Sequence, residues 1–267
     1  MKDACDCHVH VFGPASRFPY SPERAYTPPA ASVEQLVSLH DSIGIERVVI
    51  VQPSPYGTNN ACTLDAARRL GRCARAVVVV DETSDLEDMH RVGARGIRVN
   101  LYTAGENDPA AALRALQDAA GRAKPLGWHV QVFTTIALIE QLESALQELP
   151  VPLVVDHFGL PQDGRIDPLL RLVRRGKAYV KLSATHRFPA EAAPLARALA
   201  EANPARLLWG TDWPHPGGAH GVRSPDALQP FEAVDDRAAL ARLAAWFPDA
   251  NLRRNILVEN PARLYDF

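Results

Sequence analysis

Short apolar runs rich in β-branched residues alternate along this chain with longer amphipathic stretches. The apolar runs lie at residues 4–12, 47–54, 74–82, 94–102, 128–135, 152–159, 178–184 and 206–214. Between several of them apolar positions recur with helical spacing, most clearly at residues 32–44, 109–127 and 136–150. The pattern predicts eight strands that alternate with helices.

This alternation predicts an α/β protein with a parallel sheet. Strands joined by helices pair in parallel through right-handed crossovers, and eight such units in a 267-residue chain fit a closed barrel. The alternative is a doubly wound open sheet, but its usual glycine-rich first turn is not found in residues 10–16, HVFGPAS. We predict a single (β/α)8 TIM-type barrel domain over residues 1–267, regular or distorted. The mostly helical segment 235–267 is expected to pack on its bottom or flank.

Two histidines lie on one face of the first predicted strand. Because strand side chains alternate with period two, Asp6, His8 and His10 should share one face and Cys5 and Cys7 the other. We expect the imidazoles to point into the barrel at the end where barrel enzymes bind substrate. The two cysteines should face the helices as buried thiols. A tetrahedral zinc site would need ligands from both faces of one strand, which is poor geometry.

His157 and Asp212 end the sixth and eighth predicted strands. Buried ionisable groups at such positions need partners, and in a closed barrel the eighth strand lies beside the first. Asp212 should therefore reach His8 and His10, with His157 across the mouth. The alternative for Asp212, which precedes Trp213-Pro214, is a helix N-cap.

Arg98 stands within the apolar fourth strand and shares its facing with Asn100. Both side chains are therefore expected to reach toward the barrel mouth. Arg187 follows the seventh strand. A guanidinium is planar and matches a carboxylate through two parallel hydrogen bonds, so these arginines indicate an anionic ligand.

Charge and composition exclude several partners. The net charge of −2 and a pI near 6.5 give no concentrated basic surface, so neither nucleic acid nor an anionic membrane is expected. No apolar run approaches the roughly 18 residues of a membrane span, and the N-terminus shows no secretory signal. The four cysteines are too irregularly spaced for a disulfide framework. We expect a cytoplasmic monomer or small homo-oligomer that acts on a small molecule.

The motifs D-x-H-x-H at residues 6–10, D-H-F-G at 156–159 and W-G-T-D-W-P-H at 209–215 resemble the amidohydrolase superfamily. The resemblance narrows to the branch of 2-pyrone-4,6-dicarboxylate lactonase and related lactone hydrolases through HVFGPASRFPYSP, QPSPYGTNNACTLDA, RGIRVN, GWHV and NPARLY. It covers nearly the whole chain. The order and spacing of these motifs together are more specific than any one of them.

The resemblance implies a hydrolase of carboxylic ester bonds, a lactonase of aromatic or sugar-acid catabolism. Asp212 would take a proton from the attacking water, while His8, His10 and His157 would polarise the lactone carbonyl. The residues implied in substrate binding are Tyr26, Ser54, Thr58, Arg98 and Arg187.

No cofactor is expected. Binuclear amidohydrolases use a bridging Lys or Glu and further histidines, but the fourth strand ends Arg98–Leu101 and the fifth Val132–Thr135, without those residues. If one divalent ion, zinc or manganese, did bind, its ligands would be His8, His10 and Asp212. Arg98 facing the same space would disfavour a cation.

The predicted substrate is a small anionic lactone other than pyrone dicarboxylate. The pyrone hydrolases are expected to carry a further Arg where this chain has residues 102–106, YTAGE, and a Tyr where it has Phe133. A muconolactone-type or sugar-acid lactone with one carboxylate fits better. The alternatives are a lactone isomerase of the same branch and a metal-dependent non-oxidative decarboxylase. A binding protein without catalysis is disfavoured, because four converging ionisable groups would cost stability.

Overall fold

The computed structural model describes residues 1–217 and 224–267. Eight parallel strands form one sheet in which each strand pairs with the next along the chain. They are β1 Cys5–Val9, β2 Arg47–Val51, β3 Ala74–Val78, β4 Ala94–Asn100, β5 His129–Phe133, β6 Leu153–Val155, β7 Ala178–Leu182 and β8 Leu207–Trp209. Past β8 the chain reaches β1, where the Asp212 amide donates to the His8 carbonyl (2.9 Å) and the His10 amide to the Trp213 carbonyl (2.8 Å). The predicted (β/α)8 barrel and all eight predicted strands are confirmed.

Helices surround the sheet and fill the connections. They are α1 Val33–Ile43, α2 Ala61–Leu70, α3 Leu86–Val92, α4 Leu101–Ala104, α5 Pro109–Ala123, α6 Ile136–Gln147, α7 Asp167–Arg174, α8 Ala192–Ala202, α9 Asp236–Trp246, α10 Ala250–Arg254 and α11 Asn260–Tyr265. Helix α1 begins at a capping box formed by Ser32 and Gln35 and ends at Gly44, whose φ of 73° is easy only for glycine. Within the described residues, no helix is long and apolar enough to cross a membrane.

The C-terminal segment closes the amino end of the barrel, as predicted. Tyr265 at the end of α11 is fully buried and packs with Cys5, Cys7 and Tyr179, which line the barrel interior. The Asn260 side chain donates to two backbone carbonyls, including that of Leu207 in β8 (2.9 Å). Apolar packing and these hydrogen bonds attach the segment to the strands.

A bulge in β1 changes the facing of its side chains. Asp6 is in register with Val48 and Val9 with Ile50, so an advance of three residues along β1 matches an advance of two along β2. Cys5 and Cys7 consequently join the interior cluster, and the Asp6 carboxylate accepts from the Thr211 hydroxyl (2.6 Å), outside the barrel interior. The predictions that Asp6 shares the histidine face and that the cysteines face the helices are wrong, because an extra residue shifts the alternation. The prediction that the cysteines are buried is confirmed.

The long connection after β1 overhangs the carboxyl end of the barrel. Its residues Tyr26–Thr27 pair in parallel with Ser224–Leu228. The side chain of Tyr26 is buried and lines the pocket at the barrel mouth. The connection therefore covers one side of that pocket.

Candidate active site

Four buried side chains meet at the carboxyl end of the barrel. His8 and His10 come from the end of β1, His157 from the turn after β6 and Asp212 from the turn after β8. The Oδ1 atom of Asp212 lies 3.6 Å from the Nε2 atoms of His8 and His157 and 3.9 Å from that of His10. These separations exceed those of direct hydrogen bonds. The groups thus converge on one point and leave Oδ1 able to accept a proton.

The turns that carry Asp212 and His157 have strained backbones. Asp212 has φ of 70° and His157 φ of 51°, in the left-handed region that side chains other than glycine rarely occupy. Such strain persists where surrounding structure fixes it, often at functional sites. At Asp212 the backbone is held by the hydrogen bonds that join the chain after β8 to β1. The chain then forms an isolated bridge from Trp213 to Val9, so the helix-capping alternative for Asp212 is wrong.

Arg187 binds the second oxygen of Asp212. Its Nε donates to Asp212 Oδ2 (2.8 Å), its Nη2 lies 2.7 Å from the same oxygen, and Nη2 also donates to the Pro216 carbonyl (2.9 Å). Burial opposes ionisation of the carboxyl, but the charge of Arg187 outweighs it and holds the pKa of Asp212 well below its usual range. Asp212 is therefore a carboxylate at neutral pH.

The three imidazoles are neutral. Burial is the main cause that lowers the pKa of His10 to about 3, with Arg98 adding to it, and that of His157 to about 4. Burial and Lys181 lower the pKa of His8 well below its usual value. Each ring therefore carries one N–H at neutral pH and offers a hydrogen bond donor without a net charge.

Beneath the histidines lies a buried polar cluster of Lys181, Asp156 and Gln131, which sequence reasoning missed. Lys181 Nζ donates to Gln131 Oε1 (2.7 Å) and lies 3.4 Å from Asp156 Oδ1, while Gln131 Nε2 donates to Asp156 Oδ2 (3.1 Å). All three side chains are fully buried. The available signal was the lysine itself, since Lys within an apolar strand is rare unless paired.

The substrate side of the site is a small pocket at the barrel mouth. Its walls include the predicted residues Tyr26, Ser54, Arg98 and Arg187, together with His10, His157 and Asp212. Burial raises the pKa of Tyr26 to about 12, so its phenol remains a donor at neutral pH. The buried Arg98 donates to the Gln52 carbonyl (3.1 Å), and its guanidinium lies 5.6 Å from the Phe133 ring centre.

Asn100 and Thr58 differ from the other predicted site residues in their position. The Asn100 side chain lines the pocket but also accepts from the Thr103 amide (3.0 Å), at the start of α4. Thr58 is exposed and is not among the residues that line the pocket. Thr58 therefore is not brought to the site in this structure.

Among the described residues, His8, His10 and Asp212 form one of three groups whose ligand atoms lie within 4.8 Å of one another. Imidazole and carboxylate are ligand types that zinc accepts, but a ligating imidazole must present a lone pair to the metal. The Nε2 atoms of His8 and His10 are instead hydrogen-bonded to each other at 3.3 Å. The residue types fit a divalent ion and the hydrogen bonding does not.

Comparison with known proteins establishes the family. The family model of the amidohydrolases matches residues 5–267, so the chain belongs to the amidohydrolase family. The 4-sulfomuconolactone hydrolase of Hydrogenophaga intermedia is 35% identical over 97% of this chain and 88% of its own length. The 2-pyrone-4,6-dicarboxylate hydrolase of Comamonas testosteroni is 33% identical over 98% of this chain and 90% of its own length. The predicted resemblance, and with it a hydrolase, is confirmed.

The relatives also include an isomerase and a solved structure. The D-galactarolactone isomerase of Agrobacterium fabrum is 31% identical over 99% of this chain and 91% of its own length. A crystal structure from Acinetobacter baumannii, of a probable 2-pyrone-4,6-dicarboxylic acid hydrolase with citric acid bound, has a TM-score of 0.83 and 25% identity. The match covers 99% of this chain and 100% of that one. That neighbour thus binds a small organic anion.

Proposed function

We propose that this protein hydrolyses a lactone that carries a carboxylate, with Asp212 as the general base. The observation that carries the proposal is the ionised Asp212 carboxylate, whose Oδ1 faces the Nε2 atoms of three buried, neutral histidines. Related proteins include lactone hydrolases and a lactone isomerase. The site and the relatives support the same class of reaction.

In the proposed reaction Asp212 takes a proton from water as its oxygen attacks the lactone carbonyl. A neutral imidazole N–H that faces the carbonyl then donates to the oxygen that gains negative charge, which is usually the largest single stabilising effect in such sites. When the ring C–O bond breaks, the leaving oxygen receives the proton from Asp212. The product is a ring-opened acid, and the enzyme returns to its starting protonation state.

The charges around the pocket favour an anionic substrate. Among the residues that the structure describes, the charged walls of the pocket are Arg98, Arg187 and Asp212, so cations exceed anions by one there. A substrate carboxylate on Arg98 would balance that excess. One that also attracts Arg187 would weaken the ion pair of Arg187 with Asp212 and make the base stronger. The structural neighbour with citric acid bound is consistent with a protein that binds a small organic anion.

The pocket walls favour one carboxylate over two. Phe133 offers no hydroxyl, and on the α4 side the lining residues are the neutral Asn100 and Thr103. Each hydrogen bond to a charged group is worth roughly 1.5–3 kcal/mol, so a second carboxylate without a cation partner binds poorly. We therefore propose a muconolactone-type or sugar-acid lactone in preference to pyrone dicarboxylate.

A lactone isomerase is the second candidate, supported by the related D-galactarolactone isomerase. It would use the same residues, with a substrate hydroxyl in place of water. A metal-dependent decarboxylase would need a divalent ion. The residue types of His8, His10 and Asp212 suit such an ion, but the hydrogen bond between the two histidines does not.

A panel of lactones followed by a pH indicator, with and without chelator, tests the proposal. The panel includes pyrone dicarboxylate, muconolactones and aldaro-lactones. We expect acid release from a monoanionic lactone, undiminished by chelation. A rearranged lactone without net acid would establish the isomerase, and CO₂ release that needs zinc or manganese the decarboxylase. Preference for pyrone dicarboxylate over every other lactone would contradict the proposed selectivity.

A further inference from the structure

Lys181 is a fully buried lysine inside the barrel that the proposed reaction does not use. It lies on β7 and faces the underside of the histidine cluster. Its Nζ is 2.7 Å from Gln131 Oε1, 3.2 Å from His8 Nδ1 and 3.4 Å from Asp156 Oδ1. An ammonium has three N–H donors and no acceptor. Two of these donors have an acceptor within hydrogen-bonding geometry, Gln131 Oε1 and His8 Nδ1, and the Asp156 carboxylate adds an ionic contact.

The hydrogen bonds of the two β1 histidines fix the direction of a chain that begins at Lys181. His10 Nδ1 lies 2.8 Å from the Val51 carbonyl oxygen, which only accepts, so the proton of neutral His10 is on Nδ1. His10 Nε2 is then an acceptor. The 3.3 Å hydrogen bond between the two Nε2 atoms requires His8 to donate it.

His8 therefore carries its proton on Nε2 and has a bare Nδ1, which Lys181 satisfies. The chain runs from Lys181 Nζ to His8 Nδ1, from His8 Nε2 to His10 Nε2, and from His10 Nδ1 to the carbonyl of Val51. Every link has one donor and one acceptor. Reversing any link would leave two donors or two lone pairs facing each other.

Asp156 would favour the opposite tautomer of His8. Its Oδ1 lies 3.2 Å from His8 Nδ1, but the angles do not make a hydrogen bond, and this oxygen has no hydrogen bond donor among the described residues. Its other oxygen accepts from Gln131. Lys181 and Asp156 thus compete for the same nitrogen of His8, and the geometry favours Lys181.

We propose that Lys181 is a positioning residue that holds His8 as the Nε2–H tautomer and so prevents a divalent metal from binding between His8, His10 and Asp212. With that tautomer, His8 directs its N–H to His10 Nε2, on the side where Asp212 Oδ1 lies, and a metal ion would meet a proton where it needs a lone pair. Neither the tautomer nor the exclusion of metal rests on the proposed function.

Removing Lys181 should turn the site into one that binds a divalent metal. In Lys181→Met, His8 Nδ1 keeps only Asp156 Oδ1 as a polar neighbour and must donate to it. The proton leaves Nε2, and two imidazole lone pairs then face Asp212 Oδ1, which is the arrangement that zinc binds. Lys177→Met is the matched control, because Lys177 is exposed just before the same strand.

Nitrogen NMR of protein labelled with ¹⁵N-histidine reads the tautomer directly, since protonated and bare ring nitrogens resonate far apart. The His8 signals are assigned by their loss in His8→Gln. We expect the wild type and Lys177→Met to show a bare Nδ1 and a protonated Nε2 on His8, and Lys181→Met to show the reverse. A wild-type His8 protonated on Nδ1 would overturn the proposal, and this result needs no variant to fold.

Zinc binding by equilibrium dialysis gives the second readout. Changes around metal ligands typically alter affinity by roughly 10–100-fold, so Lys181→Met should bind zinc at least about tenfold more tightly than the wild type and Lys177→Met. An unchanged tautomer or an unchanged zinc affinity in folded Lys181→Met would overturn the proposal. Neither readout needs a substrate. The proposal about Lys181 can therefore fail although lactone hydrolysis is found, and it can hold although lactone hydrolysis is not found.

Discussion

Asp212 divides its two oxygens between different neighbours. Oδ1 faces the three imidazoles, and Oδ2 is held by Arg187. The ion pair keeps Asp212 ionised in a buried place, at the cost of weakening it as a base. A substrate carboxylate that also pairs with Arg187 would weaken the ion pair between Arg187 and Asp212. The basicity of Asp212 would therefore rise only when substrate is bound.

The ion pair between Arg187 and Asp212 should determine the pH at which kcat/KM falls on the acid side. Arg187 lowers the pKa of Asp212, so the base of the wild type is lost to protonation only well below the usual Asp range. In Arg187→Gln the pKa rises, and the acid limb of kcat/KM should move up by about 1–3 pH units. Arg165→Gln, which removes an exposed arginine, is the control. An acid limb at the same pH in both variants would show that Arg187 does not set the base.

Arg98 should act on affinity for anions. The side chain is buried, and Arg98→Met removes its charge while keeping much of its length. KM for the anionic lactone should rise roughly tenfold to a hundredfold, in line with the loss of a charged hydrogen bond, and KM for a neutral lactone of similar shape should change far less. Steady-state kinetics of both substrates measure this, with Arg114→Met on the surface of α5 as control. Equal increases for the two lactones would remove Arg98 from substrate binding.

Sequence reasoning found the residues that stand at strand ends and missed those that stand beneath them. Asp212 and His157 follow apolar runs, so their positions at the barrel mouth could be predicted. The contact of Arg187 with Asp212 could not, because a loop side chain has no periodicity that fixes its direction. Lys181 and Gln131 look like isolated polar residues in their strands, and only the closed barrel shows that they meet at Asp156.

At the scale of elements, β1 shows where alternation holds and where it fails. The rule places His8 and His10 in the interior correctly, because both lie on one side of the bulge. It fails for Cys5, Cys7 and Asp6, since three residues of β1 match two of β2. A bulge leaves no mark in the hydrophobic pattern, so the sequence could not predict it.

Strand β4 has a close approach that only glycine permits. A Cβ at Gly96 would lie 2.4 Å from the ring of His129 on β5, whereas one at Gly121 in α5 would meet nothing within 4 Å. Gly96→Ala should lower the free energy of unfolding by about 1–3 kcal/mol through overpacking. Gly121→Ala should raise it by about 0.5–1 kcal/mol through helix propensity. Urea denaturation measures both, and equal stability of the two variants would contradict the packing at Gly96.

At the scale of the molecule, the barrel buries many ionisable groups in neutral form. Closing the sheet in chain order brings the ends of β1, β6 and β8 together and removes His8, His10, His157 and the deeper His129 from water. The fold was predictable because each strand carries its own apolar run. The protonation of its interior was not, because it depends on burial that only the closed barrel creates.

This burial predicts a steep loss of stability toward acid. Burial lowers the pKa of His10 and His129 to about 3 and that of His157 to about 4, and it lowers that of His8 as well. In the unfolded chain each histidine takes up a proton near pH 6.5, so below that pH the unfolded state binds more protons than the folded one. The free energy of unfolding should fall by roughly 1.4 kcal/mol per pH unit for each such histidine.

Urea denaturation at a series of pH values from 7 downward measures that slope. Several buried histidines act together, so the loss should far exceed that of a single group. Below the usual Asp range, the depressed pKa values of Asp156 and Asp212 should add to it, since protonation of the unfolded carboxyls removes their contribution. A stability that stays constant from pH 7 to the Asp range would show that these histidines are not neutral in the fold.

We assign Asp212 as the general base of a hydrolytic site, and the variant Asp212→Asn tests this assignment. The change is nearly isosteric, but an amide cannot take a proton from water at neutral pH. With the lactone identified by the panel, kcat should fall by on the order of 10²–10⁴ while the circular dichroism spectrum is unchanged. Asp163→Asn, which alters an exposed carboxylate, should retain full activity. A folded Asp212→Asn enzyme that keeps more than about half of the wild-type kcat would contradict the assignment.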